Sequence, residues 1–348
     1  MICLLLIRKS IHGRSSLVLN SAADETTQEL ARFFVRQRIC GSRLTVGKHG
    51  ILPRPIVVIA MRSISMRWSS SAHPPMMFEP YLSKWCLVPD GDPTVTRAAR
   101  LLPVLRHGEP AMLKLSVEQD ERLGAAVMEW WDGDGAARVL AREDHALLLE
   151  RATGPASLSE MARTGRDDEA CRILCETAGR LHAPRAKTLP TLTPLTRWFR
   201  ELEPAARTHG GILSRCSETA EALLRDQREI VVLHGDLHHD NVLDFGDRGW
   251  LAIDPKHIVG ERGFDFANIF TNPDLADPTR PVATEPGRFA RRLDIVAEAA
   301  KLDRLRLLSW ILAWTGLSAA WFLGDGDPMA KIDLHIAQLA AAEIDRMS

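Results

Sequence analysis

The chain has 348 residues, of which 45% are hydrophobic and 26% charged, and its formal net charge is −1. These values are typical of a globular protein that is larger than one average domain. Residues 1–75 carry 11 Lys and Arg against 3 Asp and Glu, whereas the remaining residues carry 33 against 42. The acidic main part argues against nucleic acid as the main partner and suits a cationic small molecule.

Cysteine usage and hydropathy indicate the cellular compartment in which the protein is found. The 6 cysteines fit neither a disulfide framework nor a zinc-binding pattern, which is typical of a reducing compartment. Residues 307–323 form an uncharged run at the short end of a membrane span. Because the run contains Ser309, Thr315 and Ser318, we interpret it as a buried core helix. We therefore expect a cytoplasmic protein with no membrane partner.

Residues 1–75 differ from the rest of the chain because they are rich in Arg and Ser and lack clear periodicity. Three interpretations are open: a disordered basic extension, a transit peptide, or translated upstream sequence before a true start at Met76 or Met77. We favour the third interpretation. In each case we expect little regular order.

From Trp85 onward the pattern is rich in strands. "RLLPVLRHGEPAMLKL" has two apolar runs around the turn residues HGEP and predicts a hairpin with Lys114 on its second strand. "AARVLAREDHALLLE" predicts another hairpin that turns at REDH, and residues between the two hairpins have helical spacing. Residues 77–152 are thus predicted to form a sheet-rich lobe, with a linker near 150–156.

Helices dominate after the linker. Ser157 and Glu160 have the spacing of a capping box. Apolar residues recur at helical spacing in the later segments, and short strands surround residues 234–241. The segments predicted to be helical are 194–207, 215–228, 288–300, 303–323 and 332–346. The fold class is therefore predicted as α+β, with a helical lobe over 153–348 and a ligand cleft between the lobes.

The segment "VVLHGDLHHDNVLDFGDRGWLAIDP", residues 231–255, concentrates the polar side chains. Asp236 lies in a loop after an apolar strand, Asn241 lies where the chain enters a strand, and Asp254 ends the next strand. Neighbouring strands are about 5 Å apart, so Asn241 and Asp254 could bind one Mg²⁺. With Asp236 to accept a proton and Lys114 to bind phosphate, these residues suit phosphoryl transfer.

A zinc hydrolase is the alternative. His234, Asp236, His238, His239 and Asp240 include residue types that bind zinc. That interpretation leaves Asn241, Lys114 and Asp254 unexplained, and the distant histidines have no motif context. We therefore favour phosphoryl transfer.

These residues resemble a known family. "LHGDLHHDNVL…WLAIDP" resembles the catalytic segment of the aminoglycoside phosphotransferases, whose fold is like that of protein kinases. "EWWDGDGAARVLA", "DDEACRILCETAGRLHAPR", "FDFANIFTNPDL" and "AWTGLSAAWFLGDGD" are similar to the streptomycin 6-phosphotransferase branch. The resemblance covers about residues 77–348. It implies a two-lobed kinase-like fold, the cofactors ATP and Mg²⁺, and streptomycin phosphorylated at its 6-hydroxyl.

The resemblance also implies residue roles. The catalytic aspartate falls on Asp236, the metal ligands on Asn241 and Asp254, and the phosphate-binding lysine on Lys114. The glutamate that pairs with this lysine falls on Glu121, with Glu118 as the alternative. The remaining implied residues are Glu150 and Ala152, whose backbone would bind adenine, and Asp265, which would support the catalytic loop.

Two features of the sequence bear on nucleotide and substrate. The phosphate-covering region "TVTRAARLLPV" contains Ala98 and Ala99 but no glycine, which departs from the family. Pro255, where protein kinases continue with Phe-Gly, fits a small-molecule kinase. Candidate ligands for the guanidinium groups of streptomycin are acidic residues late in the chain, such as Asp274 and Asp325, and His239 near the cleft is a further candidate for contact with the substrate. We expect a monomer, and a kinase of hydroxyurea or of a metabolite is the alternative.

Overall fold

The computed structural model describes residues 6–9, 15–18, 77–96, 99–116 and 119–347, with the backbone alone at 6–9, 15–18 and 119–121. The chain divides into two compact units, Met1–Ser71 and Ala72–Ser348. In the first unit, strands β1 (Leu6–Lys9) and β2 (Ser15–Val18) pair antiparallel. The other residues up to 76 lie outside the described residues, so the interpretations of residues 1–75 stay predictions.

The second unit opens with an antiparallel sheet that follows helix α1 (Glu79–Lys84). Its strands are β3 (Leu87–Pro89), β4 (Thr94–Val95), β5 (Ala99–Arg106), β6 (Glu109–Ser116), β7 (Val139–Glu143) and β8 (Ala146–Glu150). The spatial order is β3-β5-β6-β8-β7, and β4 also pairs with β5. Both predicted hairpins are confirmed: β5–β6 turns at His107-Gly108, where φ is positive at both residues, and β7–β8 turns at Asp144-His145.

The two faces of this sheet differ because side chains alternate along a strand. Leu113 and Leu115 are buried on the face that packs with Tyr81 of α1. Lys114 lies between them in the chain and therefore points to the opposite face. That face, which includes Leu147, packs against Met128 of helix α2 (Gln119–Trp131). Because of this alternation, the side chain of Lys114 points away from the apolar core that contains Tyr81 of α1.

The rest of the second unit is mainly helical. Its helices are α3 (Leu158–Met161), α4 (Asp167–Leu181), α5 (Leu195–Trp198), α6 (Leu202–His209), α7 (Ile212–Arg225), α8 (Gly263–Ala267), α9 (Arg288–Ala300), α10 (Arg304–Gly324) and α11 (Ala330–Met347). Ser157 caps α3 by accepting a hydrogen bond from the backbone N–H of Glu160, as the capping pattern predicts. Together with the preceding sheet, these helices confirm the α+β class.

One predicted helix is interrupted. The sequence predicts a single helix over 194–207, whereas the structure has α5, a 3₁₀ turn at Phe199–Glu201, and α6. Pro204 has no backbone N–H and cannot donate the helical bond to residue 200. The chain therefore tightens before the proline, which lies in the first turn of α6, where a missing N–H is tolerated.

Helix α10 is the centre of the helical core. Within the described residues it is the one helix long and apolar enough to cross a membrane by length and composition, and 72% of its most apolar window is buried inside the protein. Trp310 and Trp314 are buried against Phe264 of α8, and the indole N–H of Trp310 donates to Glu261. The tryptophans therefore pack in the core, and the predicted buried core helix over residues 307–323 is confirmed.

Short strands surround the polar segment of residues 234–241. Strands β9 (Thr193–Pro194), β10 (Ile230–Leu233) and β13 (Ile258–Glu261) form a ladder with the order β10-β13-β9. Strands β11 (Val242–Asp244) and β12 (Trp250–Ala252) form an antiparallel hairpin. The polar loop thus leaves one ladder and enters the hairpin.

Candidate active site

The loop that follows β10 is held by a buried histidine. The ring of His234 donates from Nε2 to the carbonyl of Ile253 (2.9 Å) and accepts at Nδ1 from the backbone N–H of Asp236 (3.2 Å). Burial lowers the pKa of His234 and favours the neutral ring. The neutral tautomer with hydrogen on Nε2 satisfies both contacts. His234 therefore fixes the backbone that leads into Asp236.

Asp265 of α8 contacts the same loop from the other side. Its Oδ2 accepts from the backbone N–H of His234 (2.8 Å) and its Oδ1 from that of Gly235 (2.7 Å). The ring of His182 also contacts Oδ2 (2.8 Å). Gly235 has a φ of +80°, and a Cβ there would lie 2.7 Å from Ile258. The loop thus needs both the glycine and the buried carboxylate.

Asp236 presents its carboxylate at the edge of this loop, with 31% of its side chain exposed. Oδ1 accepts from the amide of Asn268 (2.9 Å), and Oδ2 lies 3.3 Å from the amide nitrogen of Asn241. The ammonium of Lys256 lies 3.8 Å from Oδ2. The carboxylate is therefore held by neighbours and is still accessible to a small molecule, as a general base must be.

Asn241 and Asp254 lie side by side across the β11–β12 hairpin. The carbonyl of Asn241 accepts from the backbone N–H of Ile253 (2.9 Å), which places Asp254 next to it. The amide nitrogen of Asn241 donates to the carbonyl of Asp236 (2.8 Å), so its amide oxygen is the atom left for a ligand. One carboxylate and one amide oxygen are hard ligands of the kind that Mg²⁺ takes with several waters. The donor set fits this ion.

Lys114 reaches this pair from the sheet. It lies on β6 between Leu101 of β5 and Leu147 of β8, and only 6% of it is exposed. Its ammonium group contacts Asp254 Oδ1 at 2.7 Å. The structure thus brings together four predicted residues that are up to 140 positions apart in the chain. A phosphate held by this lysine would lie beside the carboxylate that could bind a metal.

The predicted adenine-binding segment follows β8. The carboxylate of Glu150 accepts from the backbone N–H of Arg138 (2.6 Å) and contacts the guanidinium of Arg248. These contacts use the side chain of Glu150 within the protein, and Ala152 has no polar side-chain group. Nucleotide contacts by the backbone of Glu150 and Ala152 stay a prediction.

Parts of the predicted nucleotide site lie outside the described residues. These parts are Ala98, Glu118 and the side chain of Glu121, so the pairing of Glu121 with Lys114 stays a prediction. Next to this gap, the hydroxyl of Thr96 accepts from the backbone N–H of Ala99 (3.0 Å) and contacts its carbonyl (3.1 Å). These contacts hold Thr96 and Ala99 together, and Ala99 is not a glycine.

The geometry does not support the zinc alternative. His234 uses both ring nitrogens within the loop, as described above. His238 accepts at Nδ1 from the backbone N–H of Asp240 (3.3 Å). Across the described ranges, no three side chains of His, Cys, Asp or Glu form a group suited to a metal ion.

Two of the three predicted substrate ligands are corrected by the structure. His239 is 1% exposed, and burial together with the nearby Arg292 lowers its pKa well below the usual value. Asp274 is also 1% exposed, and its oxygens accept from the backbone N–H groups of Val282 (2.7 Å), Ala283 (2.8 Å) and Thr284 (3.0 Å). Both side chains are internal because packing encloses them, and neither is available to a substrate.

Asp325 remains a prediction as a substrate ligand. It is exposed at the C-terminal cap of α10. An exposed carboxylate at a helix C-terminus could approach a cationic ligand, although the helix dipole does not favour its charge there.

Two neighbours of Asp236 were missed by the sequence analysis. Lys256 follows Asp254 by two residues, and Asn268 lies 32 positions beyond Asp236. A signal for Asn268 was present, because it follows Asp265 by three residues at helical spacing. Residues three apart on a helix share a face, so a helix that directs Asp265 to the loop also directs Asn268 there.

The fold is of the protein-kinase type, and the side chains described above are of the types that phosphoryl transfer requires. The apo crystal structure of a thermostable mutant of the aminoglycoside phosphotransferase APH(4)-Ia is similar, with a TM-score of 0.54 at 15% identity, over 77% of this chain and 99% of that one. At this identity the likeness shows the fold. The predicted protein-kinase-like fold is thereby confirmed.

The chain belongs to the aminoglycoside/hydroxyurea antibiotic resistance kinase family, whose model matches residues 84–326. It is 53% identical to a streptomycin 3''-kinase of Klebsiella pneumoniae over 76% of this chain and 100% of that protein. It is 31% identical to a streptomycin 6-kinase of Streptomyces griseus, over 75% of this chain and 87% of that protein. The protein is thus a kinase of the aminoglycoside/hydroxyurea antibiotic-resistance family.

Proposed function

We propose that this protein transfers the γ-phosphoryl group of ATP to a hydroxyl group of streptomycin and thereby inactivates the antibiotic. The observation that carries the proposal is the convergence of Asp236, Asn241, Asp254 and Lys114 on one edge of the β11–β12 hairpin. The two streptomycin kinases among its relatives support this substrate. The acidic main part of the chain also suits a cationic drug.

Each of these residues has a defined task in phosphoryl transfer. Asp236 orients the attacking hydroxyl and accepts its proton, because its carboxylate is accessible and held in place. Lys114 binds the phosphates of ATP, and Asn241 and Asp254 would hold Mg²⁺ through oxygen atoms. Bound Mg²⁺ supplies positive charge to the phosphate oxygens. Most of the catalysis then comes from positioning and charge stabilisation.

For the acceptor position we propose the 6-hydroxyl of streptomycin. The likeness to the Streptomyces griseus 6-kinase and the resemblance of segments such as "AWTGLSAAWFLGDGD" to that branch support this choice. The 3''-hydroxyl is the second candidate, because the relative that is 53% identical is named a 3''-kinase. Both reactions use the same four side chains and differ only in how the drug is oriented.

The first experiment measures ATP consumption by purified protein with Mg²⁺ and streptomycin, with kanamycin and hydroxyurea as comparison substrates. We expect turnover with streptomycin and little with the other two. The phosphorylated product is then examined by ³¹P–¹H correlation NMR. A phosphate coupled to the proton at carbon 6 supports the proposed position, and coupling at carbon 3'' selects the second candidate.

Other outcomes would overturn the substrate assignment. Turnover with hydroxyurea alone would select the other branch named in the family description.

We further propose that the protein is a monomer and that it is cytoplasmic. The cytoplasmic location is supported by the described cysteines, which are all free thiols: Cys86, Cys171, Cys175 and Cys216. Light scattering of the purified protein tests the monomer, and a mass near 77 kDa, about twice the 38.7 kDa of one chain, would contradict it.

A further inference from the structure

The two oxygens of the Asp236 carboxylate have different surroundings. Oδ1 accepts a hydrogen bond from Asn268 Nδ2 at 2.9 Å. His238 Nε2 also lies 3.8 Å from Oδ1, whereas Oδ2 has the longer contacts to Asn241 (3.3 Å) and Lys256 (3.8 Å). Oδ1 is therefore committed to a protein donor, and Oδ2 is the oxygen better placed to receive a substrate proton.

The amide of Asn268 is itself held in one orientation. Its Oδ1 accepts from Asn272 Nδ2 (3.0 Å) and from the hydroxyl of Thr271 (3.3 Å). Because both neighbours donate to the oxygen, the amino group must point the other way, toward Asp236. All three residues are buried, so water does not compete strongly for these groups.

Asn272 is anchored in turn to a buried ion pair. Its carbonyl accepts from Arg292 Nη1 at 2.6 Å. The guanidinium of Arg292 also makes two bonds to Asp167, at 2.6 Å and 3.0 Å. Bidentate pairs of this kind are strong and directional. A continuous series of buried polar contacts therefore runs from Asp167 to the catalytic carboxylate.

We infer that Asn268 is a positioning residue for phosphoryl transfer, which fixes Oδ1 of Asp236 so that Oδ2 faces the acceptor hydroxyl. The inference rests on the proposed function. In the step itself the hydroxyl O–H bond breaks and its proton moves to Oδ2. A bond forms between the substrate oxygen and the γ-phosphorus, the bond from that phosphorus to the bridging oxygen breaks, and ADP leaves. Asn268 touches none of the reacting atoms.

The kinetic experiment compares wild-type protein with Asn268→Ala and Asn268→Asp, at saturating and at limiting streptomycin and ATP. Asn268→Asp keeps the size of the side chain and loses the amino group that donates to Asp236. Thr315→Val is the matched control. Thr315 is also buried, its hydroxyl donates to the carbonyl of Ile311 in its own helix (2.8 Å), and it has no part in the site.

We expect both Asn268 variants to lower kcat by about 10-fold to 100-fold, the range for losing one hydrogen bond to a charged group. KM for both substrates and the Kd for ATP should stay within about twofold, because the hydrogen bond orients a catalytic group and does not bind substrate. Thr315→Val should lower the unfolding midpoint and leave kcat unchanged. Unchanged kcat in both Asn268 variants, or equal losses in kcat and ATP binding, would overturn the inference.

A structural measurement tests the positioning role independently of the substrate. Crystal structures of the wild type and Asn268→Asp, or Asn268→Ala if the former does not fold, should show the Asp236 carboxylate rotated in the variant. A carboxylate that keeps its wild-type orientation would refute the role. If the wild type does not phosphorylate streptomycin, the proposed function fails, and this comparison still decides on Asn268.

Discussion

Two regions of the molecule each bury an aspartate, but only one of the two carboxylates is surrounded by hydrogen-bond donors. Beside the catalytic loop, Asp265 is 1% exposed and accepts from two backbone N–H groups and from His182. Between helices α10 and α11, Asp333 is fully buried, and among the described residues neither oxygen accepts a well-formed hydrogen bond. Burial raises the pKa of Asp333 to about 8, and the nearby Ser318 hydroxyl offsets only part of that effect.

The difference shows what makes a buried carboxylate useful. Donors arranged around a carboxylate repay the cost of removing it from water and fix the backbone that supplies them. Asp265 therefore holds the loop that carries Asp236. Without such donors a carboxylate stays protonated at neutral pH and opposes folding once it ionises. Asp333 should accordingly reduce stability as the pH rises and have no effect on the chemistry.

We expect the largest effect from removing the carboxylate of Asp265. Asp265→Ala leaves the backbone N–H groups of His234 and Gly235 without their acceptor and His182 without its partner. We expect the free energy of unfolding to fall by about 3–5 kcal/mol, the range for breaking a buried polar pair. Urea denaturation measures it, with Asp265→Asn, which keeps one acceptor oxygen, as the milder control. A loss under about 1 kcal/mol would show that the loop does not depend on Asp265.

Asp236 sharpens the comparison, because it is partly exposed and we propose that it serves chemistry instead of folding. Asp236→Asn preserves the shape of the side chain but removes the base that accepts the proton. We expect turnover to fall by at least about 10²-fold, the lower end for a lost general base. The unfolding midpoint should stay near that of the wild type.

Steady-state kinetics with streptomycin, together with ATP binding as the control, measure the effect of Asp236→Asn. ATP affinity should be retained, because Lys114 and the predicted metal ligands are untouched. Near-wild-type turnover would contradict the assignment of the base. A stability loss as large as that of Asp265→Ala would erase the distinction between the two aspartates.

Much of the fold, and three of the four residues that converge at the site, could be predicted from local sequence. The hairpin β5–β6 follows from apolar runs on both sides of His107-Gly108, and helix α9 follows from apolar residues at helical spacing. Asp236 and Asn241 lie in one short loop, so their proximity is a property of the chain itself. Asp254 lies two residues after the next strand of the same hairpin and joins them for the same reason.

The remaining features depend on contacts between distant segments. His239 and Asp274 resemble exposed polar residues in the sequence, and only the packing of other elements over them removes them from solvent. Asp333 lies in the first turn of α11, where a negative charge is normally favourable and hydrated. Its burial is decided by α10, and no local pattern encodes it.

The smallest expected effect concerns Asp333 and its dependence on pH. The unfolded chain ionises this carboxyl near pH 4, whereas in the folded protein it retains its proton up to about pH 8. Between these values the folded state binds one more proton than the unfolded state. Its contribution to stability is therefore fully present below about pH 4 and is lost as the pH rises toward 8.

Asp333→Asn replaces the protonated acid by a neutral group of the same shape. At pH 4 the variant and the wild type should unfold at similar denaturant concentrations. The difference in the free energy of unfolding should then grow with pH and reach about 1–3 kcal/mol in favour of the variant at pH 8. This is less than linkage gives for the whole pKa shift, because water relaxes around the ionised group. Urea denaturation at several pH values measures it. A variant less stable than the wild type at pH 8 would mean that Asp333 is ionised and paired, and that it resembles Asp265 after all.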